Sequence, residues 1–481
     1  MSTELMAKLR AVFSLPSGAV TFKSLEEHVR RAGAEVVQEL FAMLLVMLDN
    51  ELLESRPEGW VCKDRPEKTY ETVIGPVRVK RRRYLDERKR SRYLLDERLG
   101  FAKRQRISPG LICEIVKQST EVSFRQAAQH RKDLGLTPVS HATIHRWEVE
   151  LGARRSWEES ADQEAVFGYG QVPASTKERV DTLFVEADGV MVHAQREEVE
   201  RFEIKMSLVH KGWVPRYPGS TEWALEGRHV HAGVIENDER YWEQALVSHQ
   251  KRYDVFGAAR SVLNGDGAEW IDGGREYLPC CHRQLDRFHV YRDIRRAYPD
   301  EEANGFIRQL ARGNVDAVLD TMEACATATN LPAKTRERRL KLWQFMKKRQ
   351  KQLHDYRSVF QNELSAEKVW RGPGAAEGCV DKQLAHRLKK VGRCWTRKGA
   401  DAMARLRALR ANGELDGWLE RQVSTPSTPH HQIRKQISKR FESSITSEWL
   451  NKQLPALSGP HPTRPWAKAL REIAFGNPLS A

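Results

Sequence analysis

The sequence predicts an α/β core with a helical insertion, preceded by an α+β region that contains a helix-turn-helix. Three observations carry this reading. From residue 180 the texture turns to strands, in VDTLFVEADGVMVHA, FEIKMSLVHKGWV and HVHAGVI. Residues 300–372 are helical and charged, set apart from the strands before them. Upstream, SFRQAAQHRKDLG and SHATIHRWEVELG read as two short helices about the turn GLTPVS.

The elements follow in order. Residues 23–54 have apolar side chains at helical spacing and predict one long helix within an N-terminal region, 1–60. TYETVIGPVRVKRRRYLD alternates Val73, Val77 and Val79 with polar residues, which predicts a basic β-hairpin turning at Gly75-Pro76 within 61–107. Its second strand carries Arg81, Arg82 and Arg83, suited either to a DNA backbone or to a solvated edge. Residues 108–152 read as the helix-turn-helix domain. Ser108 caps a helix that has Pro109 in its first turn, and Ser123 and Ser140 are N-caps. Phe124, Ala127, Ala128, Leu134, Ile144 and Trp147 would form its small core, with Gly135 at the bend. The second helix would present His141, Thr143, His145 and Arg146 outward, beside Arg125 of the first. Residues 152–178 lack periodicity and read as a linker. The α/β core spans 178–415, with its helical insertion at about 300–372. STPSTPHH at 424 breaks the pattern and leaves a tail, 416–481.

Composition bounds the function. The chain has 481 residues and a net charge of +15, from 80 Lys and Arg against 65 acids. The excess is clustered: residues 62–110 hold 16 basic and 7 acidic residues, and 385–411 hold nine basic residues, with Lys389, Lys390 and Arg393 among them, against Asp401 alone. Such clusters form surfaces that follow phosphates and make binding salt-dependent, so double-stranded DNA is the expected partner. No apolar run reaches 18 residues and the N-terminus lacks a signal-peptide pattern, which argues against a membrane location and for the cytoplasm. Seven scattered Cys with no CxxC fit free thiols in a reducing compartment.

Three acids carry the candidate chemistry. Asp188 ends the apolar strand TLFVEAD and precedes Gly189; Asp266 ends SVLNGD and precedes Gly267; Asp381 lies in the helical EGCVDKQLAHRLKK. One Asp-Gly alone is most simply a turn. Two, each closing an apolar strand in a basic protein, suggest an oxygen-lined pocket for two Mg²⁺ or Mn²⁺ ions about 4 Å apart. Cys280, Cys281, His282 and His289 are a poor zinc set, because adjacent residues converge badly on one tetrahedral ion. Gly265 and Gly267 lack the third glycine of a dinucleotide fingerprint.

Several blocks in order resemble the ISLre-type bacterial insertion-sequence transposases, over residues 65–415: TYETVIGPVRVKRRRYLD, YLLDERLGF, SFRQAA, LFVEADGVMV, EIKMSLVHKGW, GDGAEWI, QLDRFH and WTRKGADAMARLRALRANGE. The resemblance implies an RNase H-like core, a mixed sheet flanked by helices, with an Asp-Asp-Glu set. Its first two acids map to Asp188 and Asp266. QLDRFH resembles the Asp-x-x-His element of Mutator-like transposases, here Asp286 and His289, expected to support the acids or meet substrate. The family's Gly-x-x-Glu falls on Gly378-Cys379-Val380-Asp381, so this chain departs at the third acid; Glu377, four residues earlier, is the alternative. The implied activity is metal-dependent cleavage and strand transfer at element ends. The implied assembly on element and target DNA is a homo-oligomer, at least a dimer. The competing readings are a non-catalytic DNA-binding protein, a decayed copy, and a metal-dependent nuclease of the same fold that does not move DNA.

Overall fold

The computed structural model describes residues 3–12, 14, 20–171, 178–328, 331–366, 368–389 and 392–424. Lys390 and nearly all of the expected C-terminal tail lie outside them. The described residues form two compact units. One holds the chain up to Leu151 together with the residues from Glu414, and the other runs from Gly152 to Gly413.

The first unit is built on α1 (Phe22–Glu54), which Thr21 opens by exchanging hydrogen bonds with Ser24. A hairpin of β1 (Glu67–Thr72) and β2 (Gly75–Lys80) packs against it. Val77 and Val79 alternate inward and join Leu45, Tyr70 and Leu95 in one core. The hairpin turns at Val73 and Ile74, two residues before the expected Gly75-Pro76. Thr72 Oγ1 donates to the Gly75 carbonyl at 2.7 Å and closes the turn. Gly75 starts the return strand at φ +117°, a conformation L side chains rarely adopt.

Next come α2 (Pro109–Glu121), α3 (Phe124–Asp133) and α4 (His141–Gln163), with the Ser and Pro caps where the sequence places them. Ala127 and Ile144 are fully buried, as the small core requires, but Leu134 is 64% exposed. Arg131 takes the inner position instead: it is fully buried, donates to the Thr137 carbonyl at 3.0 Å and pairs with Glu114 at 2.9 Å. The helix Leu415–Ser424 packs on α2, with Lys117 and Asp416 paired at 2.9 Å. The expected linker at 152–178 is largely absent. α4 continues to Gln163 and a π-helical turn covers Glu164–Gly168, burying Val166 and Phe167 in the core of the second unit. Sparse apolar periodicity concealed a helix whose contacts are polar on several sides.

The second unit is a mixed α/β structure. The strands of its main sheet are β3 (Thr182–His193), β4 (Arg201–His210), β5 (His229–Gly233), β6 (Arg260–Gly265) and β7 (Cys281–Leu285), in the order β5-β4-β3-β6-β7. The first three form an antiparallel meander, and β6 and β7 run parallel to β3. A helix, α5 (Asp238–Gln250), supplies the long connection from β5 to β6 that parallel pairing needs. Alternate residues of β3 face opposite cores. Leu183, Val185 and Ala187 join Tyr241, Trp242 and Ala245 of α5, while Phe184 packs with Val262 and Tyr356. After β7, α6 (Arg287–Ala297), α7 (Asp300–Ala311), α8 (Val315–Thr327) and α9 (Ala333–Lys348) form a helical layer with its own core around Ile294, Leu310, Leu319 and Met346. The short α10 (Ala376–Val380) and then α11 (Arg397–Ala411) complete the unit.

Candidate active site

The strand register aligns three aspartates. Ala187, Gly265 and Leu285 pair across β3, β6 and β7, and Asp188, Asp266 and Asp286 are the next residue on each strand. Neighbouring strands lie about 4.8 Å apart, so the three carboxylates spring from adjacent backbone positions. The Asp286 amide donates to the Gly265 carbonyl at 2.7 Å and extends the ladder by one bond. Asp286 then caps α6, accepting from the Phe288 amide, and its other oxygen lies 2.9 Å from His289 Nδ1.

The charges are crowded. Burial pushes the Asp188 carboxyl up to about 6. The negative charges of Asp266 and Asp286 add to the rise, and the Gly189 amide and His289 oppose it. The hydrogen bond that His289 donates to Asp286 holds it above its ordinary value, against the effect of burial. Among the described residues no three carboxylate, histidine or cysteine side chains stand in a preformed metal-binding arrangement. Asp188 Oδ1 accepts from the Gly189 amide at 2.8 Å, and Asp266 Oδ1 from the Ala268 amide at 2.9 Å. Each carboxylate keeps its second oxygen. The donor set is hard oxygen, the kind that suits Mg²⁺ or Mn²⁺.

Several supporting groups escaped the sequence reading. Glu186, fully buried on β3, accepts from the amides of Gly374, Ala375 and Ala376 at 2.9, 2.7 and 3.0 Å, and lies 3.2 Å from His210 Nε2. It thereby fixes the start of α10 on the strand that carries Asp188. A β-carbon at Gly374 would lie 3.6 Å from Asp286 Oδ1, so this segment reaches the aspartate row. The inward acid in LFVEAD was the available signal, since a carboxylate two residues before Asp188 on the same face needs partners. Glu203 on β4 is a fourth acid near the row. Burial raises its carboxyl, and Asp266 adds to the rise. Its oxygen occupies the space above Gly189, where a β-carbon would collide with it. Arg283 grips the Asp266 loop by donating to the carbonyls of Gly265 and Asp266 while pairing with Asp272 at 2.8 Å. Arg349, beyond the end of α9, donates to the Gly267 carbonyl at 2.8 Å from the other side.

The remaining candidates separate cleanly. Glu377 lies in the first turn of α10, half-buried, three residues after Gly374; Asp381 is exposed, one turn further on. Arg125, His141, His145 and Arg146 are exposed on α3 and α4, and Thr143 is half-buried beside Ser140. Arg125, Gln129 and Lys132 line a pocket of about 430 Å³ with Ser140 and His141. The hairpin arginines do not form a free basic strand. Arg81 pairs with Asp96 at 3.0 Å and Arg82 with Asp49 at 2.7 Å, both buried, and Arg83 pairs with Asp64. These acids lie 15 to 33 residues away, beyond the reach of local pattern. Lys389 is exposed, whereas Arg393 turns inward to the carbonyls of His386 and Arg387.

The sheet and its acidic end define a mixed α/β protein with carboxylates gathered on three adjacent strands. The model of the uncharacterised protein family UPF0236 matches residues 16–423, and the chain belongs to that family. The UPF0236 protein in the vanSb 3′ region of Streptococcus gallolyticus is 27% identical over 402 residues, covering 81% of this chain and 83% of that one. A UPF0236 protein of Caldanaerobacter subterraneus subsp. tengcongensis, whose name joins eleven locus designations, is 22% identical over 399 residues, covering 81% of this chain and 77% of that one. The Drosophila P element transposase strand transfer complex aligns over 79% of this chain and 94% of that one, at 11% identity and a TM-score of 0.24. That likeness is too remote to bear on fold or function. Among the described residues no helix is long and apolar enough to cross a membrane.

Proposed function

We propose that this chain is a DNA transposase that cuts and joins phosphodiester bonds at the ends of its own element, with an RNase H-like catalytic core. The observation that carries the reading is the aspartate row at the ends of β3, β6 and β7. Numbered from the first strand, the sheet order is 3-2-1-4-5 with strand 2 antiparallel, a mixed sheet flanked by helices of the kind the RNase H-like reading calls for. The eleven locus designations of one relative add support, since an element that inserts copies of itself leaves repeated genes.

In this reading Asp188 and Asp266 are metal ligands, and Glu377 is the third acid in preference to Asp381. Glu377 opens the helix that Glu186 anchors, beside the segment that reaches Asp286, whereas Asp381 lies a turn away and exposed. Mg²⁺ or Mn²⁺ bound there would activate the attacking oxygen and stabilise charge on the phosphoryl group. To bind it, Asp188 and Asp266 present the oxygens their loop amides leave open. Asp286 holds His289 toward its charged form, suited to donate to a phosphate oxygen. In the first unit α3 and α4 act as a helix-turn-helix that meets element ends through Arg125, His141, His145 and Arg146. Catalysis on paired ends implies at least a dimer, acting in the cytoplasm on chromosomal DNA.

The test is strand transfer. Purified protein, Mg²⁺ and a fragment carrying the DNA that flanks its gene should yield joined products in a target plasmid. Cleavage without joining would indicate a nuclease of this fold, and binding without cleavage a DNA-binding protein.

A further inference from the structure

α1 has more apolar surface than its own unit covers. Leu45 is buried, and Phe41, Leu48 and Leu52 are partly buried, against the hairpin core. On the neighbouring face Val37, Leu40, Leu44 and Met47 are 46%, 45%, 59% and 56% exposed. Their spacing of three, four and three residues is the seam a second helix packs into. Contiguous exposed apolar side chains in this pattern mark an interaction surface rather than ordinary scatter.

The charges that flank the seam identify the partner. The same spacing continues to Gly33 and Arg30 on one side and to Glu51 and Glu54 on the other. The eight positions are symmetric about residue 42. An antiparallel second copy therefore sets Leu40 against Leu44, Val37 against Met47 and Arg30 against Glu54. It also sets Glu51 against Gly33, where a β-carbon would meet nothing within 4 Å. A parallel copy would instead place Arg30 on Arg30 and Glu54 on Glu54. Arg30 and Glu54 are both exposed, and the one hydrogen bond seen for Arg30, to the Leu134 carbonyl, is long at 3.5 Å. Self-complementary ends around an apolar centre are what a two-fold interface requires. The seam spans about 36 Å at 1.5 Å per residue.

We infer that α1 is a homodimerisation helix, pairing antiparallel with α1 of a second copy through Val37, Leu40, Leu44 and Met47. This rests on α1 alone and stands whether or not the protein cleaves DNA. The test is sedimentation equilibrium of the full chain, free of DNA, over a dilution series. The wild type should be a dimer. Leu44→Glu should weaken it about 100-fold or more, because two copies of the charge enter the seam centre. Circular dichroism should be unchanged, since Leu44 is already more than half exposed. Arg30→Glu and Glu54→Arg should each weaken the dimer, and the double variant should recover it. A monomeric wild type, whether its seam is covered by the chain's own C-terminal residues or by another protein, would overturn the inference. So would a dimer indifferent to Leu44→Glu, or a charge swap without recovery.

Discussion

Asp188 and Asp266 stand side by side at the ends of two parallel strands, each one residue past the Ala187–Gly265 pair. The sheet gains nothing from this: burial and like charge lift the Asp188 carboxyl to about 6. Acids kept together at a cost in stability are a mark of function.

That cost sets a pH dependence for the metal-free protein. Asp188 is raised from 3.8 in the unfolded chain to about 6 in the folded one, so between these values the native state binds the extra proton. Stability should therefore fall as pH rises through this window and level off above it, by up to about 3 kcal/mol. Asp188→Asn should remove this step and be the more stable protein at pH 7–8. Mn²⁺ should raise the melting temperature of the wild type there and leave the variant unmoved. Melting curves across pH check both, and a wild type whose pH dependence between 4 and 6 matches that of Asp188→Asn would contradict the assignment.

Glu186 anchors α10 through three amides, so Glu186→Ala strands buried donors as well as opening space. The loss should be about 2–4 kcal/mol in urea unfolding. A variant as stable as the wild type would show that the contact carries no weight.

The third acid has a direct comparison. Glu377→Gln should abolish cleavage with DNA binding intact, because metal ligands act mainly on the transition state. Asp381→Asn should cleave at close to the wild-type rate. The reverse pattern would return the role to Asp381.

The arginines divide by environment. Arg82→Ala breaks a buried pair with Asp49 and should cost about 3–5 kcal/mol of stability while leaving the DNA affinity of the folded protein unchanged. Arg146→Ala should cost little stability and weaken binding to element ends by about 1–3 kcal/mol if it reads a base. Unfolding curves and binding at fixed salt separate the two, and an Arg82 variant that loses affinity would put the hairpin back on DNA.

The strands were legible because Leu183, Val185 and Ala187 form an apolar run that ends in an acid, and Ser108, Ser123 and Ser140 announced their helices through local hydrogen bonds. The linker was misread because α4 past Leu151 buries polar partners: Glu159 pairs with Arg405, 246 residues away in sequence. Arg81 and Arg82 looked like a DNA strand for the same reason, since Asp96 and Asp49 come close only after folding. β7 was passed over because CHRQL has one strongly apolar residue; its place comes from pairing with β6. Asp286 was chosen by resemblance, and its alignment with Asp188 and Asp266 is a matter of register that local sequence does not carry.

The proposed function turns on Asp188 and Asp266, which would together hold the metal ion that DNA cleavage needs. The most direct measurement is nicking of DNA that spans the ends of the element, with and without Mg²⁺, by the wild type, Asp188→Asn and Asp266→Asn, with binding to the same DNA measured alongside. The account predicts Mg²⁺-dependent breaks at the element borders for the wild type, none for either variant, and equal binding by all three. Breaks that persist in either variant, or a wild type that binds its ends and never cuts them, would contradict it.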